Sequence, residues 1–433
     1  MSVPQTLRRE LGKWDLTAIG VNQVIGSAIF FLPSQVAAQV GAWSPIAFVA
    51  IGLASLLVAL CFAEVGSRFE RTGGPYLYTR AAFGRFVGFE VGWMQWVTRV
   101  TSQASIANAV AIALGFYWPA ITSGAGRVLT ISAITLSLGW INLRGIRVSA
   151  FAINFFTIAK LLPLAVFIGV GLWFVEFGRL APSVSVSLPQ VSASALLLIF
   201  AFGGYDVIGV PAGEAADPRR HLPFAFVATI LAVTAIMTLA QVVAIGTLPN
   251  LPASRTPLAD ASLLFLGAGG ALLISAGSVV SMTGNNLGAV LTGSRMLFAL
   301  AENGELPRWF VRIHPRYRTP SNAIIFSTLA ALGLALSGSF VILAVASAVA
   351  RLIAYTGACA ATLRLRHPRF DGVVSPATFV IPLGPLVPVL AIAVSLLILA
   401  GATQAQLLGG AAGLAVGAAL FIANDRILKP QNT

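Results

Sequence analysis

Residues 25–33 read Ile-Gly-Ser-Ala-Ile-Phe-Phe-Leu-Pro, "IGSAIFFLP", near the middle of the first long apolar stretch, Leu16–Val40. A segment that only had to cross a bilayer would hold Leu, Val and Ala here. This one sets Gly26-Ser27-Ala28 at mid-span, after Asn22 and Gln23 and ahead of Pro33. Lipid cannot satisfy free N–H and C=O groups, so a broken helix is tolerated at that depth only against protein or a wet cavity. A similar interruption recurs five spans later. In "LIFAFGGYDVIGVP" (Leu198–Pro211), Phe200-Ala201-Phe202-Gly203-Gly204 fall inside an apolar run and Pro211 follows. Paired Gly/Pro interruptions at matching places in two halves point to a transporter site. Unwound backbone offers N–H donors to an anion and carbonyls to a cation, and a zwitterion needs both. The competing reading is that the small residues only let helices pack closely.

Around these two segments the composition is that of a membrane protein. The chain has 433 residues, 57% of them hydrophobic and 9% charged, against about 25% charged in soluble domains. Apolar runs of roughly 18 or more residues read as membrane helices. They predict spans 1–5 at Leu16–Val40, Ser44–Val65, Val87–Phe116, Arg127–Ile141 and Phe151–Trp173. Spans 6–10 follow at Ser192–Pro211, Pro223–Leu248, Gly267–Leu300, Asn322–Leu336 and Phe340–Leu363. Two more, Val380–Leu399 and Gln406–Ala423, bring the count to about twelve. No connection is long enough for a soluble domain, so residues 1–433 are expected to form one all-α integral membrane domain. Met1–Trp14 lacks the short apolar core and cleavage site of a signal peptide, and span 1 is expected to act as its own insertion signal.

The net charge of +13 is distributed as topology rather than as a nucleic-acid surface. Alternate loops carry Arg8, Arg9, Lys13; Arg68, Arg71, Arg80, Arg85; Arg144, Arg147; Arg219, Arg220; Arg308, Arg312, Arg316, Arg318; Arg364, Arg366, Arg369; and Arg426, Lys429. The opposite loops carry only Arg127, Arg179 and Arg255. This asymmetry predicts both termini in the cytoplasm and an even number of spans, with anionic lipid headgroups as by-product partners and no nucleic acid. The expected location is the cell membrane, the inner membrane in a bacterium.

Little in the sequence favours catalysis. Cys61 and Cys359 fall inside spans and read as apolar fillers, while His221, His314 and His367 all lie in loops. Zinc-protease helices, CxxC pairs, nucleophile elbows and P-loops are absent from the sequence. We therefore expect no enzyme, no catalytic residue, no metal and no cofactor.

Five motifs in order carry a family resemblance. They are "GVNQVIGSAIFFLP" in span 1, "RTGGPYLYTRAAFG" after span 2 and "FAINFFTIAKLLPLAVFIGVGLW" in span 5. "FAFGGYDVIGVPAGEAADPRRHLP" in and after span 6 and "SRMLFALAENGELPRWFVRIHPRYRTPSNAI" in and after span 8 complete the set. The sequence resembles the amino acid–polyamine–organocation permeases across most of Leu16–Leu365. The resemblance implies the LeuT-type fold of two inverted five-helix repeats, at residues 16–174 and 192–365, with two peripheral helices at 377–425. It also implies a substrate site. Gly26, Ser27 and Ala28 would be the unwound centre of span 1, their amides receiving a carboxylate at a positive half-helix end. Ala28 stands where the family usually has a second glycine, and its methyl crowds the substrate. Phe200, Ala201, Phe202 and Gly203 match the segment that supplies carbonyls and side-chain contact. Gly203 stands where a bulky residue is common, which predicts an enlarged side-chain pocket.

Ionisable residues inside a membrane are functional-site hypotheses by default. The resemblance sets Lys160 of span 5 where proton-coupled members put an ammonium near spans 1 and 8. There it could donate to carbonyls freed near Gly20 or Val21, and a lysine held away from water exchanges a proton readily. The alternative is a lysine that snorkels to an interface. Asp206 and Glu214 are read as gating or structural pairing rather than substrate chelation. Arg99 and Arg351 either pair with Asp206 or Glu90, or read a second acidic group on the substrate. Arg295 reads as structural, and Trp93 with Trp96 as packing or an interfacial belt.

The expected function is secondary active transport of an amino acid or related amine by alternating access, coupled to protons or exchanging. A passive channel or facilitator lacks the charge rings or repeated filter loop it would need. A membrane acyltransferase would want a His/Asp or Ser/His pair within the spans.

Overall fold

The first predicted span is two helices, α1 (Lys13–Val24) and α2 (Ala28–Val40), with Ile25, Gly26 and Ser27 non-helical between them. Four further helices follow: α3 (Ser44–Gly66), α4 (Pro75–Phe83), α5 (Arg85–Gly115) and α6 (Gly124–Leu143). Next come α7 (Ile146–Gly171), α8 (Leu188–Phe202), α9 (Pro218–Thr247) and α10 (Pro257–Glu302). The last are α11 (Ser321–Ser337), α12 (Phe340–Arg364), α13 (Leu386–Ala400) and α14 (Gln404–Leu428). This computed structural model describes residues 7–428 apart from 116, 117, 122, 183, 184, 338, 339, 402 and 403. Side chains at 112, 113, 115, 119, 196, 200, 340–350, 405, 406 and 425–428 also lie outside the description. Among the described residues there is no strand, only isolated bridges such as Leu11 with Ala215.

Several boundaries depart from the sequence expectation for identifiable reasons. Span 6 does not stay helical to Pro211. α8 ends at Phe202, Gly204 takes φ 130°, and two 3-10 turns (Tyr205–Gly209 and Ala212–Glu214) lead to α9. Span 8 has a helical forepart at 257–266, joined across Gly267 at φ 67° and ψ −164°, a conformation glycine adopts without a Cβ penalty. Span 11 starts late: Pro382 and Pro385 flank left-handed Leu383 and Gly384, so α13 begins only at Leu386. α4, counted as loop from sequence, starts on Pro75 at a position that needs no intrahelical N–H partner.

Six stretches among the described residues are long and apolar enough to cross a bilayer: Ala28–Gly66, Gly124–Leu143, Ile146–Phe174, Pro218–Thr247, Pro257–Glu302 and Leu407–Asn424. The packing is inside-out relative to a soluble protein. Leu53, Phe151, Ile158, Leu162 and Leu397 are mostly exposed, whereas Asn22, Lys160, Asp206, Glu214 and Arg295 are buried. Exposed apolar surface of that extent marks a lipid-facing wall, and this is a multi-pass membrane protein.

α10 is central, packed against α5, α7, α11 and α1. α3 packs on α9 and α8, α1 on α9, α6 on α11, α7 on α9, and α12 on α5 and α3. α13 and α14 pack chiefly on α12, with further contacts to α3 and α5. The arginine-rich end is stitched by ion pairs: Arg80–Glu305 at 2.9 Å, Arg71–Glu302 at 3.1 Å and Arg366–Glu64. The buried Arg295–Glu214 pair, at 2.7 Å, ties α10 to the turn after α8. At the same turn the Glu214 carbonyl accepts from the Glu10 and Leu11 N–H groups (2.8 and 2.9 Å), while Ala216 N–H donates to the Leu11 carbonyl at 2.9 Å.

Candidate functional site

An α-helix that stops inside a membrane leaves its last carbonyls without partners, and at the end of α1 side chains from α7 and α10 take them up. Lys160 Nζ donates to Asn22 O at 3.1 Å, Ile25 O at 2.7 Å and Ser281 O at 3.1 Å. Ser281 Oγ contacts Ile25 O and Gly26 O at 3.1 and 2.9 Å, as a donor to the freed backbone. Asn285 Nδ2 donates to Gln23 O at 2.9 Å and Asn22 O at 3.2 Å. In return, Asn22 Nδ2 and Gln23 Nε2 donate to the α10 carbonyls of Gly284 and Asn285, at 2.6 and 2.7 Å. The carbonyls that Lys160 reaches are Asn22 and Ile25, not Gly20 or Val21. Val21 O still accepts from Ile25 N–H at 2.8 Å, so it is not among the freed carbonyls.

On the other side of the break, α2 begins at Ala28 with Ser27 as N-cap, and the first N–H groups of a helix have no intrahelical acceptor. Ser27 and Ala28 are partly exposed, and with Gly26 they line a cavity of ≈ 110 Å³. That is small beside the roughly 300–1,000 Å³ of drug-sized pockets. The opposing wall is the end of α8, at Ala201 and Gly203, with Arg99, Ser102 and Ser105 of α5, Asn285 of α10 and Arg351 of α12. Gly204 makes the approach of the two breaks possible: at φ 130°, a Cβ there would press on the Gln23 carbonyl.

The expected site residues separate into groups. Gly26, Ser27, Ala28, Ala201 and Gly203 meet at the cavity. Phe202, one residue and about 100° round the helix from Ala201, turns away and lines a separate apolar crevice with Tyr205, Leu352 and Tyr355. The Phe200 side chain lies outside the described residues. Lys160 sits behind the break and does not line the cavity. Its ammonium faces carbonyls rather than an interface. Glu214 is engaged by Arg295.

Arg99 and Arg351 behave differently from each other. Arg99 Nη2 lies 3.6 Å from Asp206 Oδ2, and its Nη1 donates to Gln23 Oε1 at 3.1 Å. Asp206 also accepts from Gln95 at 3.2 Å and Tyr355 at 3.3 Å. Arg351 has no ion pair among the described residues, and its Nε, like that of Arg99, is buried without a hydrogen-bond partner. Glu90 pairs with neither arginine: it lies against Gly417 of α14, with both oxygens unpartnered. Nor does Gly203 leave an enlarged pocket, because the Arg351 guanidinium occupies the space a side chain there would need.

Ser281, Asn285 and Tyr355 were missed from sequence. The available signal was Asn285-Asn286 in the middle of an apolar run, since polar residues within spans face the bundle interior and carry function.

Comparison with known proteins gives a consistent result. The methylthioribose transporter of Bacillus subtilis (strain 168) is 28% identical over 91% of this chain and 88% of its own length. The serine/threonine exchanger SteT of the same organism is 32% identical over 91% of each chain. The branched-chain amino acid permease BcaP, also of that organism, is 29% identical over 90% of this chain and 87% of its own. These relatives are transporters, not enzymes. The amino acid permease family model matches residues 11–423, and the chain belongs to that family, a permease of the amino acid–polyamine–organocation superfamily.

Proposed function

We propose that this permease is a secondary active transporter that carries an amino acid or a closely related amine across the cell membrane by alternating access, coupled to protons or exchanging. The observation that carries this reading is the cavity between two broken helices. The N-terminal amides of α2 at Ser27 and Ala28 suit a carboxylate, and the last carbonyls of α8 near Ala201 and Gly203 suit an ammonium. The opposed helix ends add half-charges of matching sign. Family membership alone leaves the substrate open, since one relative is named for methylthioribose.

The proposed architecture is the 5+5 inverted repeat within one domain, 1–433, with repeats at 16–174 and 192–365 and peripheral helices at 377–425. The packing pairs support it. Advancing each element by five spans maps α3–α9, α5–α10 and α6–α11 onto themselves. It also maps α7–α10 onto α12–α5, α1–α9 onto α8–α3, and α7–α9 onto α12–α3. A chance bundle has no reason to repeat these pairs under that operation. In this reading the arginine-rich end, with both termini, faces the cytoplasm, and the ion pairs there hold the inward path shut.

Lys160 is the proposed coupling residue. Its three acceptors match the three donors of an ammonium; a neutral amine has two, so proton loss releases at least one contact between α1, α7 and α10. The test is counterflow in proteoliposomes with a radiolabelled amino acid mixture, after a thermal-shift screen of amino acids and amines, since a ligand raises apparent stability. Accumulation that is saturable and competed by one class supports the carrier. Flux that never saturates and shows no counterflow points to a channel and sinks this reading.

A further inference from the structure

We propose that the substrate bears an anionic side-chain group read by Arg351, so that the carrier is built for acidic amino acids. This inference rests on the amino acid carrier reading above and narrows it. Among the described residues, the only charged side chains lining the cavity are Arg99 and Arg351, and both are cations. Their nearest counter-charge, Asp206, does not line the cavity; it is divided among Arg99, Gln95 and Tyr355. The site therefore holds two guanidinium groups against one carboxylate, and the unbalanced one is Arg351. A guanidinium left unpaired at membrane depth is costly, and a carboxylate arriving with the substrate supplies the missing partner.

The surroundings of Arg351 support a role toward ligand. Gly203 stands directly against its guanidinium, and any side chain there would collide with Nη1, Cδ and Cζ. Glycine at 203 and arginine at 351 thus act together: one removes bulk from the end of α8, the other fills that space with a charged fork. Arginine suits this task because its planar donors match a carboxylate in a paired geometry. Arg99 has a different role. Held by Gln23 and Asp206, it adds positive potential beside the break without being free to close on a ligand.

Two exclusions follow. A substrate with a cationic side chain would meet two guanidinium groups and no lining carboxylate. A neutral side chain would leave Arg351 as unpaired as it is without substrate. The cavity of ≈ 110 Å³ further favours a short side chain, of the length found in aspartate or glutamate.

The experiment uses the purified full chain in proteoliposomes loaded with L-aspartate or L-glutamate. It reads counterflow of the radiolabelled acid against unlabelled L-asparagine, L-glutamine, L-serine and L-lysine. We expect acids to compete at least ~30-fold better than their isosteric amides, the lower end of what losing one partner of a buried charged pair costs, and L-lysine not to compete. Arg351→Gln should collapse the acid-to-amide ratio toward one, and Arg351→Lys should restore part of it. If Arg351→Gln fails to fold, the wild-type ratio decides alone. Amides that compete as well as acids overturn the inference while leaving the carrier reading intact, as does an Arg351→Gln protein with an unchanged ratio. No binding or counterflow of any amino acid overturns the carrier reading, and this inference with it.

Discussion

Lys160 Nζ lies 2.7 Å from the carbonyl oxygen of Ile25, and the same ammonium reaches Ser281 O on α10 at 3.1 Å. One charge therefore ties the end of α1 to two other helices, using backbone acceptors only. Lys160→Met keeps the length and removes the donors. We expect pH-gradient-driven accumulation to be lost, with exchange less affected because it need not move a net proton. Asn22 O and Ile25 O keep Asn285 and Ser281 as donors, so the cost is that of the lost charge-assisted hydrogen bonds, about 1.5–3 kcal/mol each, visible as a lower unfolding temperature in detergent. Unchanged pH-driven accumulation by this variant would remove Lys160 from coupling. A sodium requirement in the wild type would redirect the coupling to another ion.

Ser27 has φ −77°, within the range a proline ring imposes. Ser27→Pro should therefore delete one amide at the cavity while leaving the turn. Substrate affinity should fall at least ~10-fold, in keeping with one charge-assisted hydrogen bond of about 1.5–3 kcal/mol, with folded yield largely kept. Wild-type transport by this variant would mean that the carboxylate is held elsewhere.

Gly204→Ala forces a side chain at φ 130° and into the Gln23 carbonyl. Strain of this kind costs on the order of 1–3 kcal/mol and should push the two breaks apart. Binding and thermal stability should drop together, measured by scintillation proximity and by fluorescence-detected unfolding. A variant with native stability would show that the approach of Gly204 to Gln23 is not needed.

The Arg295–Glu214 pair is fully buried on both sides. Arg295→Met strands a carboxylate and should cost about 3–5 kcal/mol, whereas Arg295→Met with Glu214→Leu should recover much of it. Thermal unfolding of the three proteins decides. If the double variant is no better than the single, the penalty is packing rather than charge.

Topology is open to direct labelling, because Cys61 and Cys359 are both buried and give little background to added thiols. Cysteines introduced near Arg144 and Arg316 should react with an impermeant maleimide only from the cytoplasmic side, and one near Arg255 only from outside. Reaction of all three from one side excludes the inverted-repeat arrangement.

The membrane class, the helix positions and the break at Gly26–Ser27 were legible in sequence because lipid penalises each exposed polar group so heavily that composition tracks location. Helix ends were less legible where proline and glycine compete with apolar composition, as at Pro382–Pro385. The pairing of Arg99 with Asp206 was anticipated among alternatives. That the two arginines part company, with Arg351 left unpaired, was not, since it depends on which way α12 turns against α8 and no local pattern records that. Gly203 shows the same limit: a missing side chain reads as space until the neighbour that fills it is known. Asn285 went unread in the sequence, although its side chain holds the α1 terminus.

The backbone zip between Leu11 and the Glu214–Ala216 turn has a mechanical consequence. The residues just ahead of α1 are anchored to the far end of the second broken segment, so the two interrupted elements are clamped at the arginine-rich end as well as through Gly204 and Gln23. A displacement of one drags the other, and they are geared to swing as a single lever rather than as two independent flaps. In the proposed orientation, the inward door and the chain's amino-terminal tether then share one latch. Trimming or fusing at residues 7–11 would reach the substrate cavity through the main chain, with no side chain of the site touched.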